Sequence, residues 1–505
     1  MNYAEILQSK FRDYSAKQAI IFEEEILTYD ELNTAVNRVS EFLKRKGIKK
    51  GDRVAIQLSK CLEIIYFHLA CLASGAIALH LNDTYTSAEA EYFIRDSGSS
   101  LFVTDSENYL KSEEMLHGVP ELKIVTLNEK FPGALFYPEE MGEIKSCPEP
   151  SYPGRNGDTA MILYTSGTTG KSKGAMISHR SLIENMADLH EIWELSDHDI
   201  SLHTLPLVHG HGLVLAIMGA LYAGMTTMMH RKFDPKQVWD TIEKKHCTLF
   251  MGVPTMYQRM LNVWEQLPQK PDISSMRLFT CGSAPLSGDL FDRFSNTIGH
   301  TILERYGLTE TLVIASNPYK GGVRKAKSVG YPLSHVSVRI VGQDGIDVIP
   351  GEVGEFWVKS SGVFNGYWRD PEGTEESFCG EWFKTGDLGY QDPRDNLRLY
   401  LVGRSKEMII SGGYNVYPKE VENRLEQHKA VKEAAIVALS DPDFGEKVTA
   451  AVVFEDHTHA GEAELLDFCK SGLAGYKCPK KIYFVNELPR NAMGKILKDE
   501  IKKML

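Results

Sequence analysis

Eight cysteines are scattered along the 505 residues and none forms a Cys-x-x-Cys pair, which excludes a zinc ribbon and a thioredoxin-type redox motif. A basic surplus is also missing. Lys and Arg number 56 against 68 Asp and Glu, a formal net charge of −12. That argues against a general nucleic-acid or anionic-membrane binder and leaves room only for a local basic site. The first residues carry neither the basic nor the apolar region of a secretory signal. With scattered, reduced thiols, a cytoplasmic protein is expected. No G-x-S-x-G elbow or Ser-His-Asp arrangement is recognisable, and there is no internal repeat or low-complexity tract. Two stretches, 64–81 and 212–229, lack Asp, Glu, Lys and Arg. Glycines interrupt both, so each reads as a buried helix, a break and a short buried strand rather than a membrane span. The expected pairs are 62–73 with 76–81 and 213–222 with 225–229.

What is present is ordinary globular material, 43% hydrophobic and 25% charged. The length allows roughly three domain-sized units. Helices and short apolar strands alternate: a helix over 30–45 with Leu32, Val36, Val39 and Leu43 on one face, then strands at 53–58 and 100–104. The stretch 110–157 reads as irregular surface with one strand at 123–127. Short strands at 336–341, 354–359 and 397–402 follow, with a strong turn at 392–396. From 404 onward the pattern is a self-sufficient α+β unit of about 100 residues. The expected architecture is α/β: a large multi-sheet N-terminal domain, 1–403, and a small α+β C-terminal domain, 404–505.

The most informative run is 164–174, YTSGTTGKSKG, after a strand at 159–163. Gly167, Gly170 and Gly174 let the backbone turn tightly. Thr165, Ser166, Thr168, Thr169, Lys171 and Lys173 supply hydroxyls and cations for a polyphosphate. The run ends in Gly-Lys-Ser as a P-loop does, but the P-loop spacing requires glycine at 165, where threonine stands.

This loop resembles the signature loop of the adenylate-forming enzymes, the superfamily of acyl-CoA synthetases, luciferases and peptide-synthetase adenylation domains. The resemblance covers nearly the whole chain, with further motifs in family order. It implies ATP, Mg²⁺ and coenzyme A as cofactors or co-substrates, and a C-terminal domain that is mobile. In Glu304-Arg305-Tyr306-Gly307-Leu308-Thr309-Glu310, Tyr306 would stack on adenine, Thr309 touch the α-phosphate and Glu310 hold Mg²⁺. Gly282-Ser283-Ala284-Pro285 would line the adenine pocket. Asp387, in Lys384–Gly389, would take both ribose hydroxyls, since a carboxylate offers two acceptor oxygens. Arg404 would assist. Lys406 would be the hinge, and Ser411-Gly412-Gly413-Tyr414 would line the coenzyme A channel. Lys495 would be the adenylation lysine, offsetting charge on the α-phosphate and the attacking carboxylate. A thiol acceptor follows from the chemistry. With no carrier domain after Leu505, coenzyme A is the expected one, and a separate carrier protein is the alternative.

By resemblance, the acid pocket falls at 206–213 and 251–257, with His209, Met251, Gly252, Pro254 and Gly307 against the substrate. The runs MGVPTMYQRM (251–260), MRLF (276–279) and SNPY (316–319) resemble malonyl-CoA synthetases. A small diacid needs a cation for its distal carboxylate. Arg277 is the first candidate, with Arg231 and Lys232 in reserve. Malonate or methylmalonate is the expected acid, and a short-chain, medium-chain or aromatic monocarboxylate the alternative.

Overall fold

A computed structural model describes residues 1–119, 121–165, 172–411, 414–441, 445–491 and 494–505, the side chains at 114, 115, 117, 414 and 415 aside. It contains three sheets. In the first, strands Leu135–Phe136, Lys123–Thr126, Leu101–Thr104, Arg53–Gln57, Ile77–His80 and Thr159–Thr165 run parallel. Lys173–Ser178 closes the edge antiparallel to Thr159–Thr165. Leu101–Thr104 and Ile77–His80 are buried along their whole length, as strands covered on both faces must be.

The second sheet joins two kinds of strand. Leu303–Tyr306, Leu278–Cys281, Leu249–Gly252, Ile200–His203, Thr226–Met229 and Gln18–Phe22 lie parallel in that order. At Leu303–Tyr306 they pass into an antiparallel ribbon that includes Ser328–Pro332, Arg398–Arg404 and Trp382–Asp392. The third sheet is small: Tyr414–Val416, Ile409–Ser411, Gly445–Phe454 and Val431–Asp441, with Lys481–Phe484 parallel to Gly445–Phe454. The chain therefore leaves the large sheet at Arg404 and enters the small one at Ile409. A large multi-sheet α/β unit is followed by a smaller α+β one.

Local chemistry explains the helices. Tyr29–Arg45 starts with a capping box between Thr28 and Glu31 and buries Leu32, Val36, Val39 and Leu43. Leu62–Ser74 is apolar nearly all round and is stopped by Gly75 at φ 72°. Among the described residues no helix is long and apolar enough to cross a membrane. Two expectations fail. The stretch 110–157 is more than irregular surface with one strand: Leu135–Phe136 is a second strand, and Ser106–His117 and Tyr137–Glu143 are helical. The helix expected over 213–222 is a π-helix, His211–Met218, followed by a short α-helix, Gly219–Ala223. A wholly apolar run has no polar face from which periodicity could show that widening.

The carboxyl ends of the parallel strands define the site. In open α/β sheets ligands bind there. Thr165, His203, Gly252, Cys281 and Tyr306 all stand at such ends.

Candidate active site

Three side chains, Tyr306, Asp387 and Arg404, form one polar cluster. The Tyr306 hydroxyl donates to Asp387 Oδ2 at 2.6 Å, and Arg404 Nε lies 2.6 Å from Asp387 Oδ1. Strand register puts Asp387 directly opposite Arg404. Burial pushes the Asp387 carboxyl up, while Arg404 and Tyr306 pull it back. Arg404 is raised: burial works against its charge, but Asp387, Tyr306, Glu310 and Glu407 together outweigh it. The carboxylate is thus oriented on both oxygens, as a residue presenting acceptors to a ligand must be.

A second cluster surrounds Glu310. Its Oε1 accepts from the Tyr367 hydroxyl at 2.9 Å. Lys173, paired in register with Thr165 at the stem of the glycine-rich loop, sits 5.0 Å over the Tyr367 ring and 2.8 Å from Asp370 Oδ2. Tyr92 bonds the Ser172 carbonyl at 2.9 Å. The stem of the phosphate-type loop is therefore tied to Glu310 through one tyrosine. Glu310 keeps one carboxylate oxygen outside that bond, and among the described residues no group of three or more His, Cys, Asp or Glu could hold a metal alone. This donor set fits Mg²⁺, which takes one or two carboxylates and completes its shell with water and phosphate.

The third cluster lies beyond strand Leu278–Cys281. Gly282 packs on Arg305; a Cβ there would lie 2.5 Å from the guanidinium. Gly307 is equally constrained, since a Cβ would meet the Leu312 carbonyl at 1.7 Å. Arg305 is 6% exposed and its Nε and Nη2 have no hydrogen-bond partner. Among the described residues no carboxylate pairs with it, and burial lowers it to about 10. Ser283, at φ 70°, shares a 3.1 Å hydrogen bond with His211 Nδ1. His211 Nε2 and His209 Nε2 are buried without partners. Burial, then Arg305, holds His211 well below its usual value, and burial takes His209 to about 4. Both are neutral near pH 7. Glu304 points the other way: its Oε1 accepts from Leu286 N at 3.1 Å, fixing the 282–286 turn that contains Ala284 and Pro285, and burial raises it to about 8. Met251, buried, and Gly252, against the rings of Phe250 and Tyr257, lead into the helix that opens at Pro254.

Arg277 is a correction. It stands before strand Leu278–Cys281, at the end opposite Gly282. It forms a bidentate pair with Asp199 (2.6 Å to each oxygen), donates to the Trp193 and Glu194 carbonyls and lies over Tyr319 at 4.8 Å. Its donors are consumed in the fold and face away from the carboxyl ends of the strands, so it holds no distal carboxylate. Arg231 is likewise committed, to Glu23.

Lys495 follows a turn in which Asn491 Oδ1 accepts the Lys495 N–H at 3.0 Å. Its surface is exposed, yet its ammonium sits among enough protein to be lowered, by burial first and then by Arg404, with Asp387 and Glu407 opposing. The Lys495 charge thus feels the Asp387–Arg404 corner. Lys406 is in a single 3₁₀ turn, Ser405–Glu407, and Ser411 is buried. Thr309 sits in the turn before Glu310. Ser166, Gly167, Thr168, Thr169, Gly170, Lys171, Gly412 and Gly413 lie outside the described residues, as does the Tyr414 side chain. Sequence reasoning missed Tyr367 and Asp370; a glycine followed by two aromatics at 366–368 was the signal available.

Two units, a glycine-rich loop stem and a buried carboxylate held on both oxygens at the strand ends suit a nucleotide-using enzyme. The AMP-binding enzyme model matches residues 7–368 and the AMP-binding enzyme C-terminal domain model matches 420–495, and the chain belongs to this adenylate-forming family. It is 35% identical over 493 residues to indoleacetate–CoA ligase of Aromatoleum aromaticum, covering 97% of this chain and 95% of that one. It is 34% identical to the mitochondrial malonate–CoA ligase ACSF3 of Mus musculus, covering 95% and 87%. The ATP-bound MatB of Rhodopseudomonas palustris superposes with a TM-score of 0.92 at 37% identity over 100% of this chain and 99% of that one. The chain is an AMP-forming acyl-CoA ligase.

Proposed function

We propose that the chain activates a small dicarboxylic acid, malonate first and methylmalonate second, as its acyl-adenylate and passes the acyl group to coenzyme A. The observation that carries the choice of acid is Arg305. A guanidinium that is buried with two unpaired nitrogens leaves a strong, planar donor set without an acceptor. A second carboxylate on the substrate supplies that acceptor; a fatty or aromatic monocarboxylate leaves it bare.

The reactive carboxylate attacks the α-phosphorus of ATP, and pyrophosphate departs. A carboxylate is a poor acyl donor, whereas AMP is a stabilised leaving group. The thiolate of coenzyme A then attacks the acyl carbon, the bond to AMP oxygen breaks, and the thiol proton goes to solvent. No protein nucleophile is needed, so positioning and electrostatics carry the rate. Asp387 takes the ribose hydroxyls, steadied by Arg404. Thr165 and Lys173 flank the phosphates at the base of the loop that contains Ser166–Lys171. Tyr306, Gly282, Ser283, Ala284 and Pro285 enclose the base, and Thr309 borders the α-phosphate. Lys495 brings a positive charge to the phosphate as charge develops. Glu310 would hold Mg²⁺, which when bound neutralises charge on the phosphates. His209 and His211, both neutral, border the acid without repelling or discharging it. Ser411, Gly412, Gly413 and Tyr414 meet the thiol after the 404–505 domain turns about Lys406.

ATP–pyrophosphate exchange over malonate, methylmalonate, succinate, butyrate, octanoate and benzoate tests the reading, with Lys495→Ala as control. Exchange with malonate and methylmalonate, lost in the control, is expected. Exchange with octanoate or benzoate and none with diacids would overturn the choice of acid and leave the adenylation chemistry standing.

A further inference from the structure

The backbone around Lys495 is held on two sides. Within the turn, Asn491 N donates to the Lys495 carbonyl at 2.9 Å and Gly494 N to the Asn491 carbonyl at 2.8 Å. Leu497 N closes the hairpin on the Pro489 carbonyl at 2.8 Å, and Arg490 and Ile496 form a β-bridge across its stem. Arg490 then fastens the turn from the side of the small unit. Its Nη1 donates to the Gly494 carbonyl at 2.7 Å, and its Nη2 pairs with the Glu433 carboxylate. Glu433 belongs to strand Val431–Asp441 and stands opposite Val453 of Gly445–Phe454. One guanidinium therefore ties the residue before Lys495 to the small sheet.

On its other side Gly494 meets the large unit. A Cβ built there would lie 3.0 Å from Thr255 Oγ1 and 3.4 Å from Thr255 Cγ2. Thr255 stands in the first turn of helix Pro254–Gln266, just beyond the carboxyl end of strand Leu249–Gly252. The contact crosses from the large unit to the small one, so it lasts only while the small unit keeps this orientation. Gly494 has φ 73°, which by itself favours glycine; the close approach of Thr255 is a separate constraint on the same residue. Because Arg490 holds the Gly494 carbonyl and Lys495 is the next residue, a shift at Thr255 carries the lysine backbone with it. Displacements of about 1 Å are enough to matter in a reaction that depends on positioning.

We propose that Thr255 is a positioning residue for the adenylation step. It seats Gly494, and with the Arg490–Glu433 pair on the opposite side it sets where Lys495 is delivered. The inference rests on Lys495 being the adenylation lysine. The seat serves the first half-reaction alone, because the small unit leaves Thr255 before Ser411, Gly412, Gly413 and Tyr414 meet the thiol. Thr255 acts through the turn and not on the substrate.

Single-turnover assays on the full chain separate the two half-reactions: pyrophosphate release with ATP and malonate, and thioester formation from preformed malonyl-adenylate and coenzyme A. If the exchange panel selects another acid, that acid and its adenylate replace malonate, and the choice of acid does not bear on the result. Gly494→Ala is expected to slow pyrophosphate release about tenfold to a hundredfold and thioester formation by less than about twofold. Adding Thr255→Ala removes the hydroxyl and methyl that the new Cβ meets, and should recover about fivefold or more of the lost rate. The unrecovered part is the cost of φ 73° without glycine. Thr255→Leu enlarges the seat and leaves the turn untouched; it should lower kcat for adenylation with the malonate KM held within about twofold. Equal losses in both half-reactions, no recovery in the double variant, or a raised malonate KM at unchanged kcat in Thr255→Leu would overturn the proposal. Normal pyrophosphate release in Lys495→Ala would refute the role of Lys495 itself. A slow Lys495→Ala beside a normal Gly494→Ala would refute the seat and leave that role standing.

Discussion

Arg277, just before strand Leu278–Cys281, and Arg305, inside strand Leu303–Tyr306, have opposite roles, and replacing each with methionine separates them. Arg277 is 22% exposed on its side chain and its partner Asp199 4%. Burial opposes the charge on Asp199, but Arg277, Thr248 and Ser196 together hold its carboxyl below the usual range. Removing the guanidinium strands a buried carboxylate, at a cost of about 3–5 kcal/mol for a broken buried pair. The smaller figure suits the partly exposed side. With an unfolding entropy of about 2.1 cal/mol/K per residue over roughly 400 residues, Arg277→Met lowers Tm by about 4–6 °C. Its KM for malonate stays as it was. Arg305→Met removes an unpaired buried charge, so Tm holds or rises. The specificity changes instead: losing a charge-assisted bidentate contact worth about 3 kcal/mol lowers kcat/KM for malonate relative to butyrate by about a hundredfold. Differential scanning fluorimetry and steady-state pyrophosphate release measure both. The reasoning is refuted if Arg277→Met raises the malonate KM tenfold at unchanged Tm, or if Arg305→Met destabilises the fold and depresses all acids alike.

Asp387→Asn keeps the shape but loses the charge that balances Arg404 and the acceptor for Tyr306; kcat/KM for ATP is expected to fall roughly tenfold to a hundredfold, read by varying ATP at saturating acid. Lys495→Ala should slow pyrophosphate release by about 10²–10³-fold while leaving thioester formation from preformed acyl-adenylate nearly intact, as single-turnover assays would reveal. Tyr367→Phe frees the Glu310 carboxylate from its 2.9 Å bond and is expected to weaken Mn²⁺ affinity several-fold in the presence of ATP, measured by electron paramagnetic resonance. His80, at about 3, and His179, at about 4, are held down by burial, below an unfolded value near 6.5. The unfolded chain binds more protons there, so their contribution is complete above pH 6.5 and is lost as pH falls toward 4. The slope is about 1.4 kcal/mol per pH unit per histidine, and urea titrations between pH 7 and 4.5 should follow it until the carboxylates intervene.

The sequence by itself determined the class of fold, the order of its motifs and the family. Alternating helices and strands, stop signals such as Gly75 and a glycine- and hydroxyl-rich loop after a strand are all local, and local spacing is what a sequence displays. Tertiary structure decided which charges are free. Arg277 and Arg305 look alike on the page, each at a strand of the same sheet. Only folding brings Asp199 from 78 positions away onto the one and leaves the other unpaired beneath Gly282. The tie from Tyr367 to Glu310 spans 57 positions. Whether a buried charge is satisfied depends on what the fold carries to it from elsewhere in the chain.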